Sequence, residues 1–177
     1  NLFLRYLGER ELVVAIDHNP PTEVKNALAA YLQRGGRLLL ISRDLLEDPS
    51  SHSPLRDMLH IAPAAAAPPT QFGKTLSSPD GLFKLNAFAL YRALEIRDPA
   101  VAILLSQNGG TVGLQVNAAY RAVYLALKLK YMKDPAPREL LQRHLKILRQ
   151  GLAPAALEKA RLEIEDILEP ENVLPVG

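Results

Sequence analysis

The chain has no cysteine, which excludes disulfides, thiolate metal sites and a cysteine nucleophile together. The same absence leaves the redox compartment open, because a cysteine-free protein is at home in reducing and oxidising surroundings alike. No apolar run approaches the roughly 20 residues that a helix needs to cross a bilayer, and the first residues do not have the pattern of a signal peptide. An excess of one charge is also missing. Lys and Arg number 21 against 19 Asp and Glu, a net charge of +2, and the basic residues are spread rather than clustered. With only 6% aromatic residues to stack bases on, nucleic acid is not an expected partner. What is present is an ordinary globular balance over 177 residues, 48% hydrophobic and 23% charged, enough for one domain with a substantial core. Asn1 rather than Met stands first, as expected of a processed product or a piece of a longer polypeptide. A protein partner, or the rest of such a polypeptide, is therefore the expected contact.

The clearest unit runs from Glu11 to Asp44. Leu12 to Ile16 (LVVAI) is a short continuous apolar run, the pattern of a strand buried on both faces. Asp17-His18-Asn19-Pro20-Pro21 is turn chemistry with proline suited to a first helical turn. Val24, Ala27, Leu28, Tyr31 and Leu32 then share one face of a helix, Gly35-Gly36 ends it, and Arg37 to Ser42 (RLLLIS) is a second buried strand. Strand, helix and strand in this order predict a right-handed βαβ unit. Pro54 to Ile61 predicts a short helix, Ala62 to Gly81 a long proline-rich surface loop, and Leu85 to Leu94 is ambiguous. Val101 to Leu105, the turn Asn108-Gly109-Gly110 and Thr111 to Val116 read as a hairpin, and Ala122 to Leu129 as a further strand. Asp134 and Pro135 open a helix carrying Leu140, Leu141, Leu145 and Leu148 on one face. A last helix, roughly Ala155 to Leu168, carries Leu157, Ala160, Ile164, Ile167 and Leu168. No internal repeat is evident.

The stretch YLQRGGRLLLIS (Tyr31 to Ser42) resembles one that recurs in class I glutamine amidotransferase-like domains. These include trehalose-utilisation-type proteins and the non-catalytic versions in gliding-motility transport proteins and secreted peptidases. Ala122-Val123-Tyr124-Leu125-Ala126-Leu127 followed by Arg138 to Leu148 is similar to the strand and helix that close that family, so the resemblance covers about Glu11 to Gln150. It implies a flavodoxin-like α/β fold: a three-layer sandwich with a mainly parallel sheet and a C-terminal hairpin strand. Residues 1–150 would form that domain and 151–177 a C-terminal helix and tail. The family's first strand and helix would be missing, with Leu2 to Leu7 the tail of that helix. Catalytic members place a cysteine at the turn after the strand that matches Leu38 to Ser42, and a later strand supplies His and Glu. Here the turn reads Ser42-Arg43-Asp44, and Tyr124 to Met132 contains neither histidine nor acid. A nucleophile without an adjacent base is weak, so the resemblance implies a non-catalytic variant.

Two other stretches carry chemistry. Asp17-His18-Asn19 follows a buried strand, where open α/β sheets place ligands, and Asp17 and His18 are residue types that bind divalent metals. A metal site takes three or four ligands, and the remaining histidines are His52, His60 and His144, none placed by the pattern to complete one. No metal and no cofactor are therefore expected; turn formation and capping are the plainer role. Ser42 is a candidate nucleophile, and Arg43 and Asp44, with Asn19, are candidate ligand contacts at a helix N-terminus; the plainer role is again an N-cap. His144 falls on the apolar side of its helix, as a partly buried packing residue does. The basic residues between Lys128 and Lys146 read as a solvated face or a guarded sheet edge. The expected function is a non-catalytic module acting in binding or assembly. The alternative is a hydrolase or sugar-processing enzyme using Asp17 and His18 with a metal, or the Ser42 turn.

Overall fold

The computed structural model describes residues 3–5, 12–16, 20–42, 45, 54–61, 71–79, 81–91, 96, 98, 101–107, 110–129 and 135–159. The predicted βαβ unit is there. β2 (Val13–Ile16) is buried along its whole length, α1 (Thr22–Gln33) follows, and β3 (Arg37–Ile41) returns parallel beside β2 with Ile16 opposite Ile41. The helix-to-strand turn explains why its sequence is Tyr-Leu-Gln-Arg-Gly-Gly. Gly35 sits at φ +85°, and a Cβ on Gly36 would lie 2.4 Å from the Tyr31 ring, so the ring packs flat on a backbone that only glycine leaves bare. The Tyr31 hydroxyl accepts the Arg37 N–H and donates to the Arg37 carbonyl, both at 3.0 Å. Within the stretch expected to be the tail of a helix, Phe3–Arg5 is instead a strand, β1, antiparallel to β2. Pairing there occupies the outer edge of β2, whose backbone groups would otherwise lie open.

The rest of the chain departs from expectation in two respects. After α2 (Pro54–Met58) come β4 (Gln71–Ser78), β5 (Gly81–Tyr91), β6 (Val101–Gln107), β7 (Gly110–Asn117), β8 (Arg121–Leu125) and β9 (Leu127–Lys128). With β1 to β3 they form, among the described residues, one mixed sheet of nine strands in the order β1-β2-β3-β8-β7-β6-β4-β5-β9. The fold is α/β, but the sheet is not mainly parallel. Among the described residues only β2–β3 and β3–β8 pair parallel, and the other six pairings are antiparallel. The cause is connection length. Ser78 and Gly81 pair across a turn, with Ser78 Oγ donating to the Gly81 carbonyl at 2.8 Å, and Gln107 pairs with Gly110. Such tight links permit only antiparallel neighbours. The predicted loop over 62–81 is likewise corrected: 71–78 is a strand, and 62–70 lie outside the described residues.

β9 stands at the far edge of the strand order yet begins one residue after β8 ends. The sheet therefore curls back on itself, and β7, β6, β4, β5 and the β8–β9 strand make a nearly closed ring. Alternate residues of the central strands feed two cores. Val14, Leu39, Val123 and Leu125 pack with Leu140, Leu141, Leu145 and Leu148 of α3 (Ala136–Arg149), and Leu76 and Leu105 from the curled part join them. Val13, Leu38, Leu40 and Tyr124 pack with Leu28 and Leu32 of α1 and with Leu55 and Leu59 next to or within α2. A further helix, α4 (Pro154–Lys159), follows α3.

Candidate functional site

β2 and β3 end side by side, with Ile16 opposite Ile41 and Ile41 opposite Leu125 of β8. Of the sequence candidates, Ser42 follows β3 directly at this edge. Ser42 is wholly buried. Its N–H donates to the Leu125 carbonyl at 3.0 Å, and its own carbonyl accepts the Tyr124 hydroxyl at 2.8 Å. The residue thus extends the β3–β8 ladder by one step and fixes the side chain of the strand beside it. Asp17, His18, Asn19, Arg43 and Asp44 lie outside the described residues.

A second constellation carried no sequence signal. His60 Nδ1 lies 2.6 Å from Asp98 Oδ2, with both side chains about one-third exposed. His60 has φ +57° and closes α2: its N–H donates to the Asp57 carbonyl and the Ile61 N–H to the Arg56 carbonyl. That is a Schellman ending, in which the left-handed position is usually glycine. A histidine there accepts backbone strain and in return reaches a carboxylate 38 positions away in sequence. With Nδ1–H held by Asp98, Nε2 is the ring's remaining basic nitrogen, an arrangement that can orient and accept a proton. Pairing of residues so distant depends on where α2 and the approach to β6 come together, which no local spacing encodes.

A hollow lies along α3. It holds about 520 Å³ and is lined by Pro79 and Leu104 below and by Glu139, Arg143, Lys146 and Ile147 of the helix, among others. An adjoining hollow of about 330 Å³ shares Gln142, Lys146 and Gln150 and reaches Arg149. Arg143 donates to Ser78 Oγ at 3.1 Å. His144, on the same helix, is fully rather than partly buried. Its Nδ1 lies 2.7 Å from the Leu140 carbonyl, while Nε2 is buried with no hydrogen-bond partner among the described residues. Burial pulls its pKa down to about 4, the neighbouring Arg143 charge pulling the same way against the Leu140 hydrogen bond. His144 is neutral at pH 7.

The end of α3 is held by two arginines on parallel register partners, Arg37 and Arg121. Arg37 Nη1 donates to the Leu148 and Gln150 carbonyls and Arg121 Nη1 to Gln150, all at 2.6 Å. Cations are stabilised at a helix C-terminus, where carbonyls lack partners. These charges therefore serve the fold. Among the described residues no group of three or more His, Asp or Glu gathers to hold a metal ion, and no helix is long and apolar enough to cross a membrane. No known family model matches the chain, and no curated protein matches it.

Proposed function

We propose that the chain is a non-catalytic amidotransferase-like module acting in binding or assembly within a larger protein. The observation that carries this reading is Ser42. It stands where the resemblance places a nucleophile, and it is wholly buried, with its backbone committed to Leu125 and Tyr124. A group in that setting cannot meet a substrate carbonyl without opening the core. The reading is also supported by the parallel run of β2, β3 and β8, against which α1 packs in one core and α3 in the other. Amide or ester hydrolysis needs an accessible nucleophile or water, a base in hydrogen-bond reach and oxyanion donors. Glutaminase, esterase and metal-dependent phosphatase assays are expected to stay at the buffer level. A turnover that vanishes in both His18→Ala and Ser42→Ala would overturn the reading. One observation favours the alternative of a hydrolase or sugar-processing enzyme, the His60–Asp98 pair. Turnover lost in His60→Ala and kept in Ser42→Ala would select it.

A further inference from the structure

The buried face of α3 is built of leucines, Leu140, Leu141, Leu145 and Leu148, that pack with the sheet. His144 shares their helix and is wholly buried, yet its ring is only half satisfied. Its Nδ1 lies 2.7 Å from the Leu140 carbonyl. A carbonyl only accepts, so Nδ1 carries the proton, and in the neutral ring Nε2 is a bare acceptor. That nitrogen is buried with no partner among the described residues. Native folds seldom leave a buried polar atom unpaired without a reason, and a leucine at this position would bring no such atom.

The same ring forms part of the wall of the hollow along α3, whose volume of about 520 Å³ is ordinary for a small-molecule site. With Nδ1 turned to the backbone of its own helix, Nε2 lies on the opposite edge of the ring. The rest of the wall is of two kinds. Pro79, Leu104 and Ile147 are apolar, and Arg143 and Lys146 stand against Glu139. Glu139, Arg143 and Lys146 recur at spacings of four and three, which sets the charges in a row on one helix face. Arg143 Nη1 donates to Ser78 Oγ at 3.1 Å, which ties the guanidinium to the end of β4.

We propose that the hollow along α3 binds a small hydroxy acid, with its carboxylate on Arg143 and Lys146, its alkyl chain against Pro79, Leu104 and Ile147, and its hydroxyl donating to His144 Nε2. Each part of the ligand answers a group on the wall. Two cations beside one carboxylate leave a surplus that suits a monoanion better than a phosphate dianion. An unprotonated ring nitrogen needs a donor, which a hydroxyl supplies and a plain fatty acid lacks. The histidine thereby discriminates, because a site built to pair with a hydroxyl rejects the analogue without one. The inference goes beyond the binding-or-assembly reading and does not rest on it, since it uses none of the residues around Ser42.

The test is calorimetric titration of the full chain, at neutral pH and low salt, with three probes. These are β-hydroxyoctanoate, octanoate, which lacks the hydroxyl, and the methyl ester of β-hydroxyoctanoate, which lacks the charge. β-Hydroxyoctanoate is expected to bind saturably, octanoate roughly tenfold more weakly, and the ester severalfold more weakly. Lys146→Gln, at an exposed position, should weaken β-hydroxyoctanoate severalfold, an effect that shrinks as salt screens the charge. His144→Leu is expected to bind the two acids alike. That variant alters the core, so the comparison of ligands on the unaltered protein stands whether or not it folds. Absence of saturable binding by β-hydroxyoctanoate overturns the proposal. Equal affinities of the wild type for the two acids do the same, the result if water alone satisfies Nε2. So does a preference for the hydroxyl that survives His144→Leu, or an affinity that Lys146→Gln leaves unchanged.

Discussion

The half built on β2, β3 and β8 and the half built on β4 to β7 solve the same problem under different constraints. In the first, parallel strands are covered on both faces by helices, so nearly every side chain from Val13 to Ile16 and from Leu38 to Ile41 is buried. In the second, strands follow one another through tight turns and pair antiparallel, and exposed and buried residues mix: Ile103 is 47% exposed while Leu105 is fully buried. A strand buried on two faces must be apolar throughout, whereas a strand in a curled antiparallel sheet needs only alternate apolar residues. The two halves nevertheless share one core, because Leu76 and Leu105 join Leu39, Val123 and the α3 leucines.

That shared core is the part of the comparison most easily broken. Leu39→Ala in the parallel half and Leu76→Ala in the antiparallel half each empty a fully buried site and are expected to cost about 3 to 4 kcal/mol. Both should lower the midpoint of a single denaturant transition; two separate transitions would show that the halves fold independently. Next comes His144, buried on α3. Its folded pKa of about 4 lies below the ordinary 6.5. Between those values the unfolded chain takes up a proton that the folded chain refuses. Stability therefore falls as the pH drops from about 6.5 to about 4 and levels off below, a loss of about 3 kcal/mol. His144→Leu should flatten that stretch of the stability–pH curve. Within the parallel half, Gly36→Ala presses a methyl group into the Tyr31 ring and is expected to cost about 2 kcal/mol, read from thermal unfolding. The smallest effect is Tyr124→Phe, which removes the hydroxyl bound to the Ser42 carbonyl and is expected to cost about 1 kcal/mol.

The sites divide along the same line as the halves. The turns after β2 and β3 were legible as candidate positions because strand ends in a parallel sheet are marked by polar turn residues following an apolar run. The burial of Ser42 was not legible, since it depends on β8 lying beside β3, with Leu125 opposite Ile41, so that the Tyr124 hydroxyl reaches the Ser42 carbonyl. The His60–Asp98 pair was not legible at all. Its members belong to segments joined only by the docking of α2 and the approach to β6.

By itself, the sequence determined the βαβ unit, the hairpin of β6 and β7, and the faces of α1 and α3. Each is a local pattern in which hydrophobic period and turn residues agree within a dozen or so positions. It also determined the Gly-Gly turn, where Tyr31 and Gly36 are neighbours in chain and in space. Tertiary structure alone decided that Gln71–Ser78 is a strand, that β1 runs antiparallel to β2, and that the sheet curls until β9 meets β5. Gln71 to Ser78 has few apolar residues, and its backbone hydrogen bonds are made with β5 and β6. A ladder is satisfied by whichever strand lies opposite, and which strand that is depends on the path of the whole chain.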